Sequence, residues 1–194
     1  MDKFQERYEE HQKRKKEKFV GEEKKLKTLY DKMVLISIME ERRSQRKFNN
    51  TPITEFDKIN IEKSVLLSPS SCNRQAIEIF YINPKEAEKY LVGGKNWIKE
   101  ADKVILLFAN KDAYKSPNEK AFMPYLDAGF VGQNIYLMCE ALNIGCCYVN
   151  PNIRKEDINE FNAIYNHQGN YFCGAVAIGN YTEKAKEPPK RKKL

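Results

Sequence analysis

Residues 104–109 read Val-Ile-Leu-Leu-Phe-Ala, six side chains in a row without a polar atom. In a strand, successive side chains face opposite ways, so this segment has no face to offer to water. It reads as a central strand, covered on both sides, within "KVILLFAN" at 103–110. Three more segments have β-forming character. "AIEIFYIN" at 76–83 alternates, and "IGCCYVN" at 144–150 and "YFCGAVAIG" at 171–179 are rich in apolar and aromatic residues.

Helical patterns separate them. One begins at Glu22 and carries Leu26, Leu29, Tyr30, Met33, Val34, Ile36 and Ile38 into Met39. A second follows Thr54, an N-cap with Asp57 in the first turn, and stops at Ser68-Pro69. Pro84 opens a short helix closed by Gly93-Gly94, and Asn96 to Ala101 forms another turn. Pro117 and Pro124 bound a loop. A long helix with apolar residues nearly all round then runs from Leu126 to near Asn143, which points to burial, with a subunit interface as one setting. Arg154 to Tyr165 is the last helix. Four strands alternating with helices give a layered domain of the α/β or α+β class. The full 194 residues suit one such domain.

Charge narrows the function. The net charge is +7, but residues 1–32 carry eleven Lys/Arg against eight Asp/Glu, and 183–194 carry six against two. The body between them is neutral. A globally basic nucleic-acid surface is therefore not expected. No apolar run approaches the length of a membrane span, and no secretory h-region follows the charged start. Cys72, Cys139, Cys146, Cys147 and Cys173 lack zinc spacing and read as thiols of a reducing, cytoplasmic compartment. No metal site is expected. Residues 1–20 pair dense charge with a thin stripe of Phe4, Tyr8 and Phe19. They bury too little apolar surface to fold alone. Two readings stay open: a mobile tail, or an extension of the first helix lying across a partner subunit.

Two polar stretches stand out. In "ERRSQRKF" (41–48), Arg42, Ser44 and Arg46 lie two apart. If the chain is extended there, two guanidiniums and a hydroxyl point one way and make a clamp for a phosphate or a polar ring edge. The plain alternative is a charged helix end. "PSSCNRQ" (69–75) gathers two hydroxyls, a thiol, two amides and a guanidinium in one loop, or it is a turn built from turn-forming residues.

Taken together, these stretches resemble the FMN-dependent nitroreductases. Five pieces occur in the family's order: "RRSQRKF", "PSSCNRQ", "GGKNWIKEADKVILLFA", "DAGFVGQNIYLMCEALNIGCC" and "AVAIGNY" with a basic "PPKRKK" tail. The resemblance runs from about Met33 to the C-terminus. It implies an α+β layered sandwich with a central mixed sheet flanked by helices, working as a homodimer. Residues 1–30 would be a separate arm and 31–194 the FMN-binding domain. It further implies that Arg42, Arg43 and Ser44 hold the FMN phosphate and ribityl chain. Arg46 would sit by the flavin N1/C2 edge, where a cation tunes the reduced ring. Pro69, Ser70, Ser71 and Asn73 would reach the same FMN from the neighbouring subunit. Gly145 and Asn150 belong to the strand beside the ring, and Lys190 and Arg191 would return to the phosphate. At Asn150-Pro151 the chain departs from a pair of backbone donors common in the family, since proline has no N–H.

The implied activity is reduction of nitroaromatic, quinone or related acceptors by NAD(P)H in a ping-pong sequence, with no acid–base residue required. A specialised chemistry on the same fold, dehalogenation or flavin and ring modification, is the alternative. Segment 111–125 is the best candidate for a substrate cover, with Tyr114, Phe122 and Tyr125 either as stacking groups or as ordinary packing aromatics.

Overall fold

The structure, a computed structural model, describes residues 27–166 and 168–185. The charged arm at 1–20 and the tail residues Lys190 and Arg191 lie outside them. The chain divides into two units, Met1–Glu41 and Arg42–Leu194. In the first, helix α1 spans 27–41, and Leu29, Tyr30, Met33, Leu35, Ile36 and Met39 are all exposed on it.

The second unit is built on four strands, β1 (Ile77–Ile82), β2 (Lys103–Ala109), β3 (Gly145–Val149) and β4 (Tyr171–Gly179). Their spatial order is β1-β2-β4-β3. Every pairing is antiparallel, which corrects the expectation of a mixed sheet. Crossovers over the faces return each strand reversed beside its neighbour, so among the described residues no parallel pair arises.

The two-sided apolar strand is central, as its composition requires. Ile105, Leu107 and Ala109 of β2 face one core with Val176 and Ile178 of β4. Val104, Leu106 and Phe108 face the other with Ala175 and Ala177. The first core is roofed by α2 (Glu55–Leu66) and α4 (Pro117–Ala141) through Ile61, Ala128, Val131, Ile135 and Cys139. The second is roofed by α3 (Pro84–Tyr90), α5 (Ile158–Tyr165) and short 3-10 turns through Ala87, Tyr90, Ile98 and Phe161. The fold is α+β.

α2 starts as expected: Thr54 accepts from the Asp57 amide, and the Asp57 carboxylate accepts from the Thr54 amide. α4 begins earlier than expected. Ser116 and Glu119 form a second capping box and Pro117 occupies the first turn, so 117–125 is helix and not loop. Pro124 lies inside α4. It lacks an N–H for the carbonyl one turn back, a local cost that the two-sided packing of the helix outweighs.

β4 carries a bulge. Its register against β2 shifts between Leu107 and Phe108, leaving Cys173 as the extra residue. Gly174 takes φ +130 there, and a Cβ would stand 2.7 Å from both Tyr148 Oη and the Val149 carbonyl. Gly174→Ala should therefore destabilise the protein through a forbidden dihedral and a backbone clash, each about 1–3 kcal/mol. Urea unfolding at constant m-value would measure it.

Candidate functional site

The segment after α1 is extended, and it lies along the open edge of β3. The Gln45 amide donates to the Cys146 carbonyl at 2.9 Å, and the Asn49 amide to the Asn180 carbonyl at 2.9 Å. This approach needs Gly145: a Cβ there would meet Gln45 Cγ at 2.8 Å and Phe48 Cε1 at 3.1 Å. Gly145 therefore seats the segment and has no side chain to offer a ligand.

Gln45 and Phe48 turn inward, and Arg46 and Lys47 between them are exposed. Buried Gln45 donates to the carbonyls of Lys47 and Glu183, at 2.7 and 2.9 Å, and accepts the Ala185 amide at 2.8 Å. It thereby pins the start of the C-terminal segment beside residues 44–47. The two segments enclose a cavity of about 290 Å³ lined by Ser44, Gln45, Arg46, Lys47, Glu183 and Lys184.

Two arginines of the segment rest on aromatic rings. Arg42 stands 4.8 Å over the Tyr136 centroid, and Arg46 5.9 Å over Trp97. Arg43 Nη1 donates to the Arg42 carbonyl at 2.8 Å. Tyr136 Oη lies 3.1 Å from Ser44 Oγ and accepts the Tyr148 amide at 2.8 Å. Burial pushes the Tyr136 hydroxyl up to about 12. The Cys147 thiol is also raised by burial, against the pull of Arg46.

The second polar stretch is a strained loop. Cys72, Asn73 and Gln75 all have positive φ, of 52, 53 and 50°. Asparagine accepts that region readily; the other two do so seldom. The loop is held from α4. Asp127, fully buried, accepts the Ser71 amide at 2.9 Å and the Tyr114 hydroxyl at 3.0 Å. Arg74 Nη2 pairs with Glu119 at 2.9 Å, and its guanidinium lies 5.8 Å from the Tyr114 ring centroid. Within the loop, Ser70 Oγ accepts the Gln75 amide at 2.9 Å, which leaves its own proton to donate. Asn134 of α4 donates to Ser68 Oγ at 2.9 Å.

The structure brings Ser44 and Arg46 to one cavity, with Arg42 and Arg43 beside Ser44 in the chain. Pro69 and Ser70 line a different one, of about 100 Å³, with Val65, Gln75 and Val131. Asn73 and Asn150 are exposed. Tyr114 is not a stacking group for a substrate: it is buried against Asp127. Phe122 and Tyr125 are exposed on α4. Sequence reasoning missed Gln45, Asp127 and Tyr136. A polar residue inside an otherwise apolar helix was the available signal for the last two.

Residues 39–94 and 88–180 match the family model of the nitroreductase family. The chain belongs to the nitroreductase family. Its fold also matches solved structures of that kind. One is an FMN-dependent nitroreductase from Clostridium difficile, at TM-score 0.65 and 23% identity, over 79% of this chain and 91% of that one. A candidate nitroreductase from Desulfovibrio desulfuricans, in complex with FMN, gives 0.66 and 19% over 82% and 92%. The NADPH:FMN oxidoreductase from Vibrio harveyi, complexed with NAD+, gives 0.68 and 19% over 81% and 73%. A comparison with curated protein sequences finds no match. Among the described residues, no helix is long and apolar enough to cross a membrane.

Glu119 offers a test of how the nitroreductase loop is anchored. Its carboxyl is lowered from 4.5 to about 2, first by the Arg74 hydrogen bond and then by the amides of Lys115 and Ser116. A depressed carboxyl contributes stability above its unfolded value, and that contribution is lost as pH falls through the folded one. The Tm advantage of the wild type over Glu119→Gln should therefore be full above about pH 4.5 and close by about pH 2. Thermal melts across that range would check it.

Proposed function

We propose that this protein is an NAD(P)H-dependent flavin oxidoreductase that holds FMN at the 42–46 segment. The observation that supports the reading best is the cavity beside Ser44 and Arg46, with Arg42 and Arg43 alongside, in a chain of this family. Its groups suit the cofactor: hydroxyl and guanidinium donors match a phosphate monoester, and a cation matches an electron-rich ring edge. No G-x-G-x-x-G turn for a pyrophosphate occurs, so FMN fits better than FAD. Held by Arg42, Arg43, Ser44 and Arg46, FMN would supply the hydride-accepting and electron-donating chemistry for reduction of a nitroaromatic, quinone or related acceptor by a nicotinamide. The chain's own residues bind, orient and tune; none is needed as a proton shuttle.

In this reading the working unit is a homodimer. A cavity of about 290 Å³ falls just short of the ~300–1,000 Å³ usual for ligand sites. A second copy would supply the missing wall through the Ser70–Asn73 loop. The exposed apolar side chains of α2 and α4 are consistent with such a partner: Phe56, Ile59, Leu66, Phe122, Leu126 and Phe130.

The purified protein should show flavin bands that bleach anaerobically with NADH or NADPH. Denaturation should release about one FMN per chain; FAD in its place would overturn the clamp assignment. Arg42→Ala and Arg46→Ala should each raise the Kd for FMN by about 10- to 100-fold, the loss of one charge-assisted contact. Fluorescence titration of the apoprotein would measure that. Sedimentation at micromolar concentration should give a dimer, and a monomer with full flavin occupancy would sink the two-chain site.

A further inference from the structure

A clamp for one phosphate needs flexible groups held in place before the ligand arrives, and a single α4 side chain touches two of them. The Tyr136 ring lies under the Arg42 guanidinium at 4.8 Å. Its hydroxyl sits 3.1 Å from Ser44 Oγ and 2.8 Å from the Tyr148 amide. The amide can only donate, so the phenolic oxygen accepts from it. The hydrogen bond between the Tyr136 and Ser44 hydroxyls can run in either direction, and in both it fixes Ser44 Oγ, on a residue that lines the 290 Å³ cavity. A backbone amide of β3 thereby anchors, through Tyr136, a hydroxyl at the cavity.

We propose that Tyr136 is a positioning residue that presets Arg42 as a stacked cation and holds the Ser44 hydroxyl in place for a phosphate monoester. The inference rests on the FMN reading of this cavity and adds to it which residue makes the chain select the phosphorylated flavin. Half-burial of Tyr136 within the first core supports it, because the hydroxyl keeps its proton across physiological pH. The arginine loses conformational freedom to the ring before binding, so less ordering remains when phosphate arrives.

The test compares FMN with riboflavin, which lacks the phosphate, on apoprotein of the wild type, Tyr136→Phe and Tyr136→Leu. The readout is the ratio of the riboflavin Kd to the FMN Kd. Phenylalanine keeps the ring under Arg42 and removes the hydroxyl; the ratio should fall about fivefold. Leucine removes both, and the ratio should fall about twentyfold. Parallel weakening of both flavins would mean that Tyr136 only packs, and an unchanged ratio would mean that it does nothing for the clamp; either overturns the proposal. If the leucine variant does not fold, the near-isosteric phenylalanine variant decides by the same two criteria. A wild type that binds neither flavin overturns the FMN reading itself. A wild type that prefers FMN, with a phenylalanine variant that keeps the whole preference, overturns only the role of Tyr136.

Discussion

A strand with no polar face has to be covered twice, and most of this architecture follows from β2. Its odd-numbered residues need one layer and its even-numbered residues another. β4, beside it, has the same need. Four helices and several 3-10 turns meet that demand in a chain too short for much else. The outcome is a small sheet with a full interior and two edges, β1 and β3. Functional residues then have few places to go: the faces are occupied, so polar groups gather where connections cross an edge or leave a helix end.

The β3 edge shows how this works. An uncovered edge offers unpaired amides and carbonyls. Here the Cys146 carbonyl is taken by the Gln45 amide, and the Tyr148 amide by the Tyr136 hydroxyl. Protecting the edge and building the cationic cavity are therefore one arrangement. The segment that caps β3 is the segment that carries Arg42, Ser44 and Arg46. Glycine at 145 lets it come close enough to do so.

The strands were legible because their evidence is local: alternation in β1 and continuous apolar character in β2. The start of α4 was not, since Pro124 reads locally as a breaker, while the capping box at Ser116 and Glu119 that begins the helix is weak beside it. Tyr114 looked like a loop aromatic, because its partner Asp127 stands thirteen residues away and pairs only in three dimensions. The antiparallel sheet was likewise hidden, since strand direction depends on how crossovers run and not on any residue. For the candidate site, the cationic residues were legible as types in a pattern. What holds them was not: Gln45 reaches residues 183 and 185, a separation with no sequence signature.

α4 links these observations. Glu119, Asp127, Asn134 and Tyr136 are polar side chains of this helix that each tie down a connection. Asp127 holds the strained 70–75 loop, and Tyr136 holds the 42–46 segment. Nine residues separate them, which on a regular helix is a rise of about 14 Å and roughly half a turn of rotation. The two polar stretches are thus fastened to opposite sides of one rod, and they line different cavities within one chain. If both serve a single flavin, as proposed, the rod of one copy must present its 70–75 loop to the 42–46 segment of another. On that reading the long helix is apolar nearly all round because it has three things to face: its own sheet, α2 and a second copy of the chain. Asp127 and Tyr136 stand where the two polar stretches have to be fixed.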